Sequence, residues 1–257
     1  MANSVINARA IGIADLKDMT DARVALGRFG AGAPTKAAQA FLLDHARARE
    51  AVWSSVDQEG LQRQLLDLQL DAVVVESLAG DRSQYVRRPD LGRKLSATSL
   101  AQLEAIGSRD EGFDVVIIVA DGLSASAVDI NAAAVVGALA DRLRRHGLSL
   151  APVVIASQAR VALSDPIGEA LAAKTAIMLI GERPGLSAAD SLGAYVTYSP
   201  RSDTPDSRRN CVSNIREGGL SIAAAADQII ELVIAMRMTG ISGVGLKDAV
   251  AKLEVTA

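Results

Sequence analysis

Apolar residues in this chain come in short runs cut off by breakers. Runs at 71–76, 114–120, 152–156, 175–180 and 194–198 are apolar at most positions. Short apolar runs bounded by Gly, Pro or charge read as strands, and those at 114–120 and 175–180 as strands buried on both faces. Between them lie stretches of helical spacing. The first runs from Thr35, read as a cap, to about Val52, with Ala38, Phe41, Leu42, Ala46 and Arg49 near that spacing. Others cover 59–70, 125–146, 165–173 and the alanine-rich 221–238, where Ile222, Ile229, Ile230, Val233 and Met236 recur; Gly240 to Gly245 end the last. At 114–146 a strand, an Asp121-Gly122 turn, a Ser124 cap and a helix follow one another, which is the βα unit of a doubly wound sheet. The fold predicted is α/β: a Rossmann-like, mostly parallel sheet of about five strands flanked by helices over 71–257, preceded by an N-terminal arm and helical extension over 1–70.

A buried strand that stops at Gly181 delivers Glu182 and Arg183 to the carboxyl edge of the sheet, where open α/β sheets bind ligands. The run at 194–198 ends in Ser199-Pro200-Arg201, and an arginine-rich polar loop follows that carries Cys211. Glu182, Arg183, the Pro200–Arg201 corner and the Cys211 loop are therefore expected to line one crevice.

Composition narrows the function. Of 257 residues, 49% are hydrophobic, 22% charged and 3% aromatic, with a formal net charge of -3. Phosphate-backbone binding needs a basic face, and single-stranded nucleic acid a stacking platform; neither is present, so no nucleic acid is expected. No apolar stretch approaches the roughly 20 residues needed to span a bilayer, so no membrane is expected either. With no secretory leader at the start, a cytoplasmic location is expected. The single cysteine excludes an intrachain disulfide and a multi-cysteine metal site.

Candidate chemistry is sparse. Gly27, Gly30 and Gly32 precede no GK[ST] and follow no clear strand, so they are not a phosphate loop. His45 lies on a helix face and His146 at a helix end, where it suits the macrodipole; neither belongs to a triad, and no catalytic or metal-binding residue is assigned. Residues 81–95 are dense in charge, with Arg87, Arg88, Arg93 and Lys94 around Pro89-Asp90: either a solvated loop or a docking loop for a partner or an anionic ligand. Glu182 reads as a ligand contact rather than a general acid. Arg208, Arg209 and Arg216 near Cys211 would favour its thiolate, but a lone cysteine supports no disulfide cycle, and lining a large ligand is the milder role.

Six segments then point to one family: Tyr85 to Arg93, Val119 to Ser124, Ile167 to Glu169, Gly181 to Leu186, Tyr198 to Arg201 and Cys211 to Ile215. In this order they resemble the small (light) subunit of ethanolamine ammonia-lyase over about 22–240. The resemblance implies a subunit of an adenosylcobalamin-dependent carbon–nitrogen lyase that converts ethanolamine to acetaldehyde and ammonia. It implies a large-subunit partner, a TIM barrel holding the substrate, while this chain covers the lower, nucleotide side of the cofactor. It places cofactor contacts at Val161, Glu182 and Cys211. It leaves open whether the complex lies free or inside a bacterial microcompartment. Mutase-type cobalamin domains carry Asp-x-His-x-x-Gly; here neither Asp121 nor Asp165 has a histidine two residues on, so base-on cobalamin is expected. The competing readings are a non-catalytic Rossmann-like module for a nucleotide or partner, and a scaffold protein.

Overall fold

Burial of the apolar runs builds the centre of the molecule. The computed structural model describes residues 19–256 apart from 21, 25, 29 and 109–111, so most of the N-terminal arm lies outside the described residues. Strands β1 (Ala72–Glu76), β2 (Val115–Ala120), β3 (Val153–Ser157), β4 (Thr175–Gly181) and β5 (Leu192–Tyr198) coincide with the apolar runs, and a sixth, β6 (Arg209–Ile215), occupies the segment expected to be a loop. The sheet order is β1-β3-β2-β4-β5-β6. The pairings from β1 to β4 are parallel, while β4–β5 and β5–β6 are antiparallel. The sheet is therefore mixed, with more strands than expected.

Helices cover it unequally. On one face α2 (Gln58–Asp67), α5 (Ala125–Arg145) and α7 (Ile222–Thr239) pack on Ile117, Val119, Ile177, Leu179, Val196 and Val212. On the other, α4 (Ala97–Gly107) and α6 (Ser164–Ala170) pack on Val116, Ile118, Val154 and Met178. Ser124 caps α5 through the Ala127 N–H as expected. α1 (Thr35–Trp53) starts after Pro34, and Thr35 is its first residue rather than its cap. α1 buries only Ala51. α3 (Arg82–Arg87) follows β1, and α8 (Leu246–Thr256) follows Gly240, whose φ of 72° ends α7. Among the described residues no single helix is long and apolar enough to cross a membrane.

Candidate functional site

The usual ligand position in such a sheet lies where successive connections leave on opposite faces. Here that is between β2, which leads to α5, and β3, which leads to α6. The crevice is only partly filled: a cavity of about 430 Å³, lined by Asp57, Gln58, Val119, Asp121, Ile155 and Gln158, opens there. Asp121, at the tip of β2, accepts hydrogen bonds from the Gln158 and Ala159 amides at 2.9 and 3.0 Å, and Arg82 pairs with it at 3.2 Å.

A second opening lies to one side, over the antiparallel strands. α7 covers one face of β5 and β6; on the other, Tyr195 and Cys211 stand opposite each other in register. A cleft of about 450 Å³ lies between that surface and the turn after β3, lined by Val161, Tyr195, Pro89, Arg93, Arg160 and Arg209. The Tyr195 hydroxyl hydrogen-bonds the Cys211 thiol. Burial first, and then Cys211 and the Glu182 charge, push the tyrosine pKa up to about 12. The Cys211 thiol also lies above its ordinary value. The residue is exposed at the sheet edge, but partial burial of the thiol beside Tyr195 raises it, Glu182 adds to the rise, and the Tyr195 bond only partly offsets them. Contrary to expectation the thiolate is not favoured, because Arg209 and Arg216 are engaged elsewhere. Arg209 forms a bidentate pair with Asp165 at 2.6 and 2.8 Å, and Arg216 donates to Asn214 Oδ1 at 2.9 Å.

Glu182 follows the last residue of β4. Its carboxylate accepts from the Ser191 hydroxyl and, at 3.2 Å, from the Asn214 amide, so it ties the β4–β5 loop to the end of β6. Gly193 makes room for it: a Cβ there would stand 2.9 Å from Glu182 Oε1. Arg183 is exposed and makes no hydrogen bond or ion pair with a described residue.

The expected single crevice divides. Because β5 runs antiparallel to β4, Tyr198 pairs with Thr175, at the opposite end of β4 from Glu182. The Pro200–Arg201 corner is therefore at the far edge of the sheet, where Arg201 pairs with Glu169 at 3.4 Å. Val161 and Tyr195 share the cleft, Cys211 faces Tyr195, the Glu182 charge is felt at Tyr195, and Cys211 also borders a cavity of about 730 Å³ along the outer edge of β6. Sequence reasoning missed Tyr195 and the Asp165–Arg209 pair. The signal for Tyr195 was its place among small residues in the 194–198 run; the pair had none.

The charged stretch 81–95 is solvated at its charges but folded beneath them: Arg87, Arg88, Arg93 and Lys94 are exposed, with Arg88 pairing with Asp90 at 2.7 Å and Arg93 with Asp206 at 3.0 Å, while Tyr85 is fully buried. His146 caps the C-terminus of α5 and His45 lies on α1, so neither adjoins the cleft. Among the described residues no group of three His, Cys, Asp or Glu could hold a metal ion.

An α/β domain with one strand pair left open on one face is the class these features define. The ethanolamine ammonia-lyase light chain (EutC) family model matches residues 11–247. The chain is 50% identical over 234 residues to an ethanolamine ammonia-lyase small subunit of Rhodopseudomonas palustris, covering 91% of this chain and 89% of that protein. Small subunits of Pseudomonas putida and Ralstonia nicotianae are each 46% identical, covering 91% of this chain and 86% and 87% of theirs. The chain belongs to the ethanolamine ammonia-lyase light-chain family, that of a carbon–nitrogen lyase subunit.

Proposed function

We propose that this chain is the cobalamin-covering subunit of an ethanolamine ammonia-lyase, assembled with a large subunit that holds ethanolamine. The observation that carries the reading is convergence on Tyr195 from separate segments: Val161 lines the cleft beside it, Cys211 faces it across the strand pair, and the Glu182 charge reaches it. Adenosylcobalamin supplies the radical chemistry when bound; the chain's own work is placement. The residues suit that group. Val161 and Pro89 offer apolar wall, Arg160 and Tyr195 offer hydrogen-bonding groups, and Glu182 offers an acceptor for a corrin amide. Arg160 Nε is buried without a partner beside the cleft, a donor with capacity to spare. No histidine adjoins the cleft to displace the cofactor's own base, which supports base-on binding.

The test is co-expression with the large subunit. The purified complex is expected to take up adenosylcobalamin, turn red and release ammonia from ethanolamine, while the small chain alone does neither well. A complex that retains cobalamin equally after Val161→Asp and Glu182→Ala would defeat the reading.

A further inference from the structure

The turn that presents Val161 is held more completely than a surface connection needs to be. Loops normally leave backbone groups to water. Here the three N–H and three C=O groups of residues 158–160 all have protein partners. The Gln158 and Ala159 amides donate to Asp121 at 2.9 and 3.0 Å, and the Arg160 amide to Gly92 O at 2.8 Å. The Gln158 carbonyl accepts from Ser77 Oγ at 2.8 Å, the Ala159 carbonyl from Tyr85 Oη at 3.0 Å, and the Arg160 carbonyl from the Leu163 amide at 2.8 Å. These partners come from the ends of β1 and β2, from α3, and from the turns on either side of the cleft.

The clamp is built around Tyr85. Its ring lies 4.7 Å from the Arg82 guanidinium carbon and 4.2 Å from that of Arg160. Gly92 is needed for the close approach: a Cβ there would lie 2.9 Å from Gln158 O and 3.1 Å from the tyrosine ring. Stability alone does not account for this cluster. The Arg82–Asp121 pair is 10% and 9% exposed, and a buried ion pair contributes little net stability compared with apolar packing. It also leaves Arg82 Nη2 buried without a partner. A backbone fixed from several directions is what a ligand contact requires, because a contact held in one geometry needs no reordering on binding.

We infer that Tyr85, Asp121 and Ser77 are positioning residues: they lock the 158–160 backbone so that Val161 meets cobalamin in a preformed geometry. The charge-dense 81–95 segment then serves as the brace of the cofactor turn. The inference rests on the cobalamin reading above.

The experiment uses the co-expressed complex, cyanocobalamin as an inert probe, and hydrogen exchange of peptides spanning 158–163. Tyr85→Phe keeps the ring and removes one hydrogen bond. Exchange in that segment is expected to rise about fivefold, the factor one such bond is worth, with β2 and β4 unchanged. Cyanocobalamin affinity is expected to fall by about the same factor, because only the ordered turn binds. Ser77→Ala, which frees the Gln158 carbonyl, is the parallel variant should Tyr85→Phe fold poorly, and is expected to act in the same direction. Unchanged exchange, or raised exchange with unchanged affinity, overturns the inference. If Val161→Asp and Glu182→Ala both leave affinity intact in the otherwise unaltered complex, the cobalamin reading fails, and the inference with it. If Val161→Asp alone leaves it intact, or if Val161→Asp abolishes binding while Tyr85→Phe and Ser77→Ala do not weaken it, only the inference fails.

Discussion

The parallel and antiparallel halves of the sheet are buried differently. β2 and β4 are buried at every position, between α5 on one side and α4 and α6 on the other. β6 buries only Val212 and Ile215, on the α7 side. The closed half narrows its switch-point crevice through Asp121 and keeps a cavity of about 430 Å³ beside it; the open half leaves Tyr195 lining a cleft of about 450 Å³. The difference teaches that a strand pair left without a long helix on one face offers a cleft of its own, apart from the one at the strand tips.

The open half is tied to α6 by a buried ion pair, so the largest effect is expected there. The side chains of Arg209 and Asp165 are 4% and 2% exposed. Arg209→Ala leaves the aspartate charge buried and unpaired and is expected to cost about 3–5 kcal/mol. Denaturant unfolding measures it; a loss below about 1 kcal/mol would show that β6 is held by something else.

At the far edge of the closed half, Asp114 binds the Ser149 amide, Lys174 and Arg237. Burial opposes its ionisation, but these partners outweigh it and hold the carboxyl well below the usual range. A depressed folded-state pKa stabilises the fold above the unfolded value, about 4, and that stabilisation is lost as pH falls towards the folded value. Asp114→Asn is therefore expected to cost about 1–2 kcal/mol at neutral pH and to lose less than the unaltered protein when acidified below about pH 4. Parallel acid titrations of both stabilities that stay a constant distance apart would refute this.

Glu182 joins the two halves. Glu182→Ala is expected to cost about 1 kcal/mol of stability through the lost Ser191 and Asn214 bonds, and to weaken cobalamin retention by a larger factor. Equal losses in thermal stability and cofactor affinity would make it purely structural.

The smallest effect is expected at Cys211, which is exposed. Cys211→Ser is expected to shift stability by less than about 0.5 kcal/mol and to leave substantial turnover. Because its thiol is raised, alkylation should be slow near neutrality and speed up only above the ordinary thiol range. Tyr195→Phe removes the bond that favours the thiolate and should slow alkylation further. Rapid alkylation at pH 7 would contradict this.

Much of the closed half was legible because its strands are buried on both faces and so read as unbroken apolar runs. β6 was not, because an edge strand open on one face keeps only Val212 and Ile215 apolar, and a bulge at Leu192/Ala194 disturbs its register. The direction of β5 had a signal in hindsight: residues 182–191 are too few for the crossover that a parallel strand requires. Of the site residues, Glu182 was legible as a strand end, while Val161 rested on family resemblance alone.

By itself the sequence determined the α/β class, five of the strands and the family, since these follow from local periodicity and short ordered motifs. Only the tertiary structure decided the direction of β5, the strand nature of β6, and the gathering of Val161, Tyr195, Cys211 and Glu182. Those depend on pairings between residues far apart in the chain. Whether Asp121 faces a ligand or the protein's own amides depends on which loop folds back over it, and no local pattern records that.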